Sequence, residues 1–202
     1  MPKVTVEHRL ARRAQIVAAA RHCVIEQGFH KTTMADVIRE SGLSAGAVYG
    51  YFRSKDEIVE AIADDALSAV GELFEDILAM PDPLPLGQAM RKVLDHVVDI
   101  AERPGGDVTR VALQAWAEAV HNPAIAAIAA AKWTPLRSHF AAIVRRAQAG
   151  GSLPPDADPD HVAQALFGLL PGFLMQRLLL GDVTPESYAD GIDALLGSHP
   201  QR

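Results

Sequence analysis

The sequence predicts an all-α fold in which a small N-terminal domain, residues 1–55, precedes a larger helical domain, residues 56–202. Apolar residues recur every three or four positions in each long segment, which is the period of an amphipathic helix and not the alternation of a strand. Several segments begin with Ser, Thr, Asp or Asn, which accept hydrogen bonds from the free N–H groups of a helix start. We therefore expect about nine helices.

The first four helices are predicted from caps and glycines. Gly28 ends the first helix, and Ser44 can cap the third. Thr33 and Ser54 are each followed three residues later by an acid, which is the spacing of a capping box at the start of the second and fourth helices. The predicted ranges are about residues 9–27, 33–41, 44–52 and 55–79.

Prolines divide the rest of the chain. Three of them at alternate positions in Met80–Pro85 cannot continue a helix, so a break is expected there before a C-terminal bundle. Asn122, Asp158 and Thr184 each precede a proline, which is favoured at the first helical position. Pro135 is expected to kink or split the seventh helix. The remaining helices are predicted to end near residue 103, to span about 107–121 and 123–150, and to begin at 158 and 184.

Composition excludes several classes of protein. An apolar content of 49% in 202 residues is ample for a buried core. Cys23 is the only cysteine, which excludes a disulfide scaffold and fits a cytoplasmic location, and we interpret it as a small buried hydrophobe. Residues 1–13 lack the apolar core of a signal peptide. The most apolar stretch, Val162–Leu180, is interrupted by polar residues and a proline, so we expect a buried or interfacial helix and no membrane partner.

The charge is distributed unevenly along the chain. Residues 1–55 contain nine Lys and Arg against four acids, a net charge of +5, so the other residues carry −11 of the total of −6. A basic N-terminal domain is attracted to phosphate, whereas the acidic remainder is repelled. The asymmetry indicates an N-terminal domain that binds nucleic acid.

Residues 33–52 meet the requirements of a helix-turn-helix: two short helices, a reversing turn, and a second helix that is free to enter the major groove. Gly42 lies where the chain must reverse. The predicted shared core is Val37, Ile38, Ser41, Leu43, Val48 and Phe52. The other face of the second of these helices, Ala45–Gly50, is small and smooth, which lets the backbone approach DNA closely.

Polar residues flank this smooth face. Tyr49 and Tyr51 can supply hydroxyls for phosphates or groove edges, and Lys55 adds a cation beside the free N–H groups of the fourth helix. The alternative is that the tyrosines are core aromatics and that Lys55 is a solvated surface charge. The predicted DNA-binding residues are Thr32, Thr33, Ser44, Ala45, Gly46, Ala47, Tyr49, Tyr51 and Lys55.

Three runs carry a resemblance to a known family: Gly28-Phe-His-Lys-Thr-Thr-Met-Ala-Asp-Val-Ile-Arg-Glu-Ser-Gly42, Leu43-Ser-Ala-Gly-Ala-Val-Tyr-Gly-Tyr-Phe52 and Ser54-Lys-Asp-Glu-Ile58. Over about residues 9–60 the chain resembles the tetracycline-repressor (TetR) family. The resemblance implies a homodimer that binds palindromic double-stranded operator DNA, and a C-terminal bundle that holds a small-molecule effector. Ile38 and Gly50 depart from the alanine and the larger residue usual in the family, which affects helix packing and base readout.

The larger domain is expected to hold the effector and the dimer interface. An apolar cavity with a few polar groups is predicted from Met90, His96, Gln114, Trp116, Trp133, Phe140, Phe167, Met175 and Gln176, although ordinary core packing is an alternative for each of them. The apolar eighth helix and the ninth helix predict an interface across a two-fold axis, as the family resemblance implies. Its candidate residues are Gly168, Gly172, Phe173, Leu195 and Leu196.

Two other functions remain as alternatives. A helical enzyme could use His96 with Asp95 and Asp99, but adjacent residues point to different sides of a helix and no nucleophile or His-x-x-x-His pair completes a site. We therefore expect no catalytic residues, no metal and no cofactor. A protein-interaction module with a degenerate DNA-binding head is the second alternative, because Gly50 and the small face of the third helix fit it.

Overall fold

The computed structural model describes residues 6–103 and 106–197. Within those ranges the chain has nine α-helices and no strand, which confirms the predicted all-α class. The helices are α1 (Val6–Gln27), α2 (Met34–Ser41), α3 (Ala45–Tyr49), α4 (Lys55–Ala79), α5 (Leu86–Ala101), α6 (Val108–Ala119), α7 (Pro123–Ala149), α8 (Pro159–Leu179) and α9 (Pro185–Leu195).

Most helix starts lie where their caps predict them. Thr33 forms a reciprocal capping box at the start of α2, and Thr184 forms another at the start of α9. Asn122 accepts hydrogen bonds from the first free N–H groups of α7, and Asp158 does the same for α8. Gly28 has a φ of 91°, a left-handed conformation that ends α1. Local side-chain chemistry therefore sets these boundaries.

Two predicted features differ from the structure. The third helix ends at Tyr49 and not at Phe52, because the N–H groups of Tyr51 and Phe52 both return to the carbonyl of Val48 in a tight final turn. Pro135 does not split α7, which is continuous from Pro123 to Ala149. A proline removes only one backbone hydrogen bond, and the helix on either side of Pro135 is long enough to tolerate that loss.

The chain divides into two compact units. One contains the described residues of Met1–Ala66 together with Ala101–Ala129, and the other contains those of Leu67–Ile100 together with Ala130–Arg202. We call them the head unit and the body unit. The head unit includes α6 as well as α1, α2 and α3. The predicted division into a DNA-binding domain up to residue 55 and a ligand-binding domain beyond it stays a prediction.

The core of the head unit contains an apolar stripe of α1. Ile16, Val24, Val37 and Val48 are buried there, and Phe52 closes the same core. Of the other predicted core residues, Ser41 is buried, and Ile38 and Leu43 are half-buried. Cys23 is buried as expected, and its burial raises the pKa of the thiol, which makes it a poor nucleophile.

The core of the body unit is built around aromatic rings. Phe74 stacks on His139, with ring centroids 5.1 Å apart, and meets Phe140 edge-on at 5.0 Å. At the end of α4, the guanidinium of Arg146 donates hydrogen bonds to the carbonyls of Leu78 and Met80. These are carbonyls that a helix end leaves without partners, so Arg146 caps α4 from α7.

The apolar helix α8 belongs to the body unit. By length and composition it could cross a membrane, but a core helix of a globular protein has the same properties. Its buried residues are Ala163, Leu166, Phe167, Phe173 and Leu174. Packing inside the unit therefore accounts for part of its apolar character.

Replacement of Arg146 by Met should lower the free energy of unfolding by about 2 kcal/mol, because the carbonyls at the end of α4 lose a charged donor. For a chain of this length the expected decrease in Tm is about 4–8 °C, measured by circular dichroism. The matched control is Arg145→Met, which removes only an exposed ion pair with Asp160 and should cost less than about 1 kcal/mol. Equal effects of the two variants would contradict the capping role.

Candidate nucleic-acid interface

The first helix of the helix-turn-helix is fixed at its N-terminus by Thr33 and Asp36. The Thr33 hydroxyl accepts the Asp36 N–H at 3.2 Å and donates to the Asp36 carboxylate at 2.6 Å, and the carboxylate also accepts the Thr33 N–H at 3.0 Å. Arg39 donates to the same carboxylate at 2.5 Å. The hydrogen bonds from Thr33 and then from Arg39 lower the pKa of Asp36 to about 2. Thr33 is exposed, so its hydroxyl lies at the surface although Asp36 already accepts its proton.

The turn between α2 and α3 is held from α1. Gly42 has a φ of 67°, which lets the chain reverse after α2. The side chain of Gln15 donates to the carbonyl of Ser41 at 2.7 Å, and the Ser41 hydroxyl donates to the carbonyl of Ile38 at 3.0 Å. The hydrogen bond from Gln15 therefore anchors the turn to α1.

Helix α3 presents a bare outer face. Ser44 caps it by accepting the N–H of Ala47 at 3.2 Å, and Val48 points into the core. Ala45 and Gly46 are exposed, and Tyr49 is 50% exposed. The alternative interpretation of Tyr49 as a core aromatic is thus wrong.

The two glycines of this segment differ in the room around them. A Cβ added at Gly46 would have no other atom within 4 Å, whereas one added at Gly50 would lie 3.3 Å from the carbonyl oxygens of Gly46 and Ala47. Gly50 has an ordinary helical φ of −70°. Crowding by the backbone of α3, and not an unusual dihedral angle, therefore accompanies Gly50, where the resemblance implies a larger residue.

Thr32 is the predicted DNA-binding residue that the structure removes from the surface. Only 2% of it is exposed, and its hydroxyl donates to the carbonyl of Gly28 at 2.9 Å. Its own N–H donates to the same carbonyl. The residue therefore stabilises the loop between α1 and α2, and the expectation of a phosphate contact at Thr32 is corrected.

Lys55 is held in place by the loop after α1. Its ammonium donates to the carbonyl of Phe29 at 3.0 Å and lies 4.4 Å from the centroid of the Phe29 ring. An ammonium has three N–H groups, so two remain available to another acceptor. Lys55 and Tyr51 are both half-buried, and Lys55 is not the freely solvated charge of the alternative interpretation.

The start of α4 is less open to a phosphate than the sequence indicates. Ser54 accepts the N–H of Glu57 at 3.3 Å, and the Glu57 carboxylate accepts the N–H of Arg53 at 2.7 Å. The Glu57 carboxylate therefore accepts the N–H of the residue before the cap, and not the N–H of Ser54 itself that a capping box predicts. Asp56 and Glu57 also place two acids in the first turn, so an anion would depend on the Lys55 side chain more than on the helix start.

The nine predicted effector residues are divided between the two units. Gln114 and Trp116 belong to the head unit, and the other seven belong to the body unit. Gln114 accepts the N–H of Phe29 at 2.6 Å, a contact with the loop after α1 that the sequence did not predict, and its role in an effector cavity stays a prediction. Sequence reasoning missed the pair because 85 positions separate the two residues.

The seven effector candidates in the body unit have different environments. Met90 and Phe140 are buried in the core, whereas Met175 is exposed. Trp133 and Phe167 meet edge-on with centroids 5.1 Å apart. Gln176 donates weakly to the Tyr188 hydroxyl at 3.4 Å.

His96 stands apart from the other candidates of the body unit. Its Nε2 atom is buried and has no hydrogen-bond partner among the described residues. A buried polar atom of this kind needs an explanation, since it is costly to leave unsatisfied.

The candidates for a dimer interface also divide into two groups. Phe173 is 0% exposed and packs against Tyr188 at 5.4 Å, so the expectation that it lies at an interface is wrong. Gly172 faces the same ring, because a Cβ there would lie 3.1 Å from the Tyr188 hydroxyl. At the ends of α8 and α9 several large apolar side chains are exposed: Met175, Leu179, Leu180, Leu195 and Leu196. Gly168 has open space around the position of a Cβ.

In the described part of the chain, residues 6–103 and 106–197, His, Cys, Asp and Glu form no group of three or more that could hold a metal ion.

Two family models match the chain. The model described as bacterial regulatory proteins, tetR family, matches residues 16–62. The model described as BetI-type transcriptional repressor, C-terminal, matches residues 86–199, which is more than half of the chain.

Known proteins are similar to the chain over different lengths. The helix-turn-helix-type transcriptional regulator YfiR of Bacillus subtilis is 47% identical over 66 residues, which span 33% of this chain and 32% of YfiR. The regulator UidR of Escherichia coli is 27% identical over 186 residues, which span 92% of this chain and 91% of UidR. The solved structure of Salmonella enterica GusR is 25% identical in sequence and has a TM-score of 0.77. The superposition covers 98% of this chain and 98% of the GusR chain.

The capping box of α2 should depend on pH. Asp36 has a folded pKa of about 2, below its ordinary value of 3.8, so it stabilises the fold fully above about pH 4 and loses this contribution as the pH falls toward 2. The difference in urea midpoint between the wild type and Asp36→Asn should follow the same course. In a Thr33→Val background the difference should shrink, because the largest cause of the shift is absent. A difference that does not change with pH would contradict this account.

Proposed function

The chain belongs to the TetR family of bacterial regulatory proteins and is a DNA-binding transcriptional regulator, and we propose that it is a repressor that a small-molecule effector releases from a palindromic operator. The observation that carries the proposal is the outer face of α3. This helix buries Val48 and exposes Ala45, Gly46 and Tyr49, so no core packing opposes its entry into a major groove. The net charge of +5 over residues 1–55 favours the approach to DNA.

We assign two kinds of DNA contact to the head unit. Tyr51 and Lys55 bind phosphates, since each carries an O–H or N–H donor near an end of the helix-turn-helix. Thr33 lies at the exposed start of α2, and a phosphate there would compete with Asp36 for its two donors. The α3 face supplies close approach, and the Ala47 methyl can touch a thymine methyl. The proposed contacts are Thr33, Ser44, Ala45, Gly46, Ala47, Tyr49, Tyr51 and Lys55. Thr32 is left out because it is buried.

The effector site is proposed to lie in the body unit beside His96, Trp133 and Phe167. The buried Nε2 of His96 has no partner among the described residues, so a ligand with a hydrogen-bonding group could satisfy it. The edge-on pair of Trp133 and Phe167 offers an apolar wall. The repressor is proposed to act in the cytoplasm, where its DNA lies.

A homodimer is proposed from the apolar residues exposed at the ends of α8 and α9. Two heads related by a two-fold axis would match two half-sites of a palindrome. Leu195 is 88% exposed in the single chain, and Leu196 beside it is exposed as well. Neighbouring exposed apolar side chains of this size are typical of an interaction surface.

The DNA-binding proposal is tested with a duplex selected by the intact protein from a random-sequence pool. Lys55→Met should weaken binding and reduce the slope of log Kd against log salt concentration by about 0.9 for each head, because one phosphate contact is lost. Fluorescence anisotropy between 50 and 200 mM salt, a range of about fourfold, measures both quantities. The control Lys92→Met removes an exposed lysine of α5 and should leave the slope unchanged.

The outcome of the selection decides between two functions. Failure of the wild-type protein to enrich any duplex at low salt would reject the repressor. It would favour a protein-interaction module with a degenerate DNA-binding head. The small face of α3 and Gly50 also fit that function.

Introduction of two aspartates at Leu195 and Leu196 should produce a monomer, because four charges would be buried in a two-fold interface. Light scattering coupled to size-exclusion chromatography measures the change. Val120→Asp is the matched control, since Val120 is 76% exposed on the head unit and lies outside the proposed interface. A wild-type protein that is monomeric at micromolar concentration, or a double variant that remains dimeric, would overturn the assignment.

A further inference from the structure

Helix α6 belongs to the C-terminal region by sequence and to the head unit by packing. By sequence it lies in residues 86–199, the region that matches the C-terminal part of a transcriptional repressor. By packing it belongs to the head unit, with α1, α2 and α3. The C-terminal sequence therefore reaches into the compact unit that carries the helix-turn-helix.

Three contacts join α6 and the residues just before it to α1 and the loop that follows α1. Two residues before the start of α6, Gly106 lies so close to Ile25 that a Cβ would come within 2.7 Å of the Ile25 side chain. Near its middle, Gln114 accepts the N–H of Phe29 at 2.6 Å. Near its end, Glu118 lies 3.8 Å from the imidazole of His30. The hydrogen bond from Phe29 to Gln114 therefore joins α6 to the loop between α1 and α2.

The contact of Gln114 is the strongest of the three. Phe29 is buried, so its N–H has no water to replace a lost acceptor, and a buried donor without a partner is costly. Gln114 also lies 3.7 Å from the place of a Cβ on Gly28, whose φ is 91°. The side chain thus packs on the turn that ends α1.

Phe29 is linked on its other side to the proposed DNA contact. Its carbonyl accepts the Lys55 ammonium at 3.0 Å, and its ring lies beneath the same ammonium at 4.4 Å. A lysine side chain loses considerable rotamer freedom when it is fixed. If the ammonium is already fixed in the free protein, that entropy cost does not lower its affinity for a phosphate. The position of Phe29 therefore determines whether the Lys55 ammonium is already held in place before it meets a phosphate.

We infer that Gln114 is a positioning residue for DNA binding: it holds Phe29 where that residue fixes the ammonium of Lys55, and so couples α6 to the phosphate grip of the head unit. The inference rests on the proposed function, because it requires that Lys55 contacts DNA. It adds a specific residue of α6 through which a movement of that helix changes the affinity for the operator.

A double-mutant cycle tests the inference with the duplex selected by the wild-type protein. Gln114→Leu removes the acceptor at similar volume, and Lys55→Met removes the charge. Gln114→Leu should raise Kd roughly fivefold and reduce the salt slope toward that of Lys55→Met. The double variant should bind no more weakly than Lys55→Met alone, because both changes act on the same contact.

Gln88→Leu is the matched control. It makes the same substitution at an exposed position of α5, away from Phe29, so Kd and the salt slope should stay within about twofold of the wild type. If Gln114→Leu does not fold, Gln114→Asn replaces it, since an amide that is one methylene shorter cannot reach Phe29. Thermal unfolding of every variant shows which of them are folded.

The possible outcomes separate the two claims. If the wild type enriches no duplex, the proposed function fails. If it binds, but the effects of Gln114→Leu and Lys55→Met on Kd are additive, or the salt slope of Gln114→Leu equals that of the wild type, the inference fails alone. A lower Tm with unchanged binding would likewise make Gln114 only a structural residue.

Discussion

The helix-turn-helix depends on α1, because two helices of eight and five residues cannot bury a core by themselves. Ile16 of α1, Val37 of α2 and Val48 of α3 are all fully excluded from solvent. The hydrogen bond from Gln15 to the carbonyl of Ser41 holds the turn on the same helix. With Val48 directed inward, the small residues of α3 face outward by necessity, and the surface proposed for DNA follows from the packing of one valine.

Local chemistry explains which parts of the fold could be predicted from the sequence. The caps at Thr33, Asn122 and Thr184 depend on atoms within three residues, so their spacing alone predicts them. Contacts between distant residues leave no such trace. Gln114 looked like a polar group of a cavity because its partner Phe29 lies in another part of the chain, and Phe173 looked like an interface residue because the burial of an apolar side chain by Tyr188 has no sequence signal.

The division of the chain into units illustrates the same limit. A sequence indicates boundaries at loops and prolines, such as the break at Met80–Pro85. Here the limits of the compact units fall inside α4, between Ala66 and Leu67, at the last residue of α5, between Ile100 and Ala101, and inside α7, between Ala129 and Ala130. Each of these limits therefore lies within a continuous helix, where no loop or proline marks it in the sequence. Helix α6 lies in the matched C-terminal region but packs in the head unit, so the contact of Gln114 with Phe29 leaves no trace in the sequence.

The open space around Gly46 bears on how such a protein could change its target during evolution. In the proposed mode of DNA binding a Cβ at this position would face the groove and would meet nothing beyond the backbone of its own helix, so its cost in folding would be confined to helix propensity. Because alanine has a higher helix propensity than glycine, many replacements would even favour α3. After gene duplication, one copy could thus acquire a base-reading side chain in a single mutational step while the phosphate grip persists, and two regulators with separate operators could arise without an unstable intermediate.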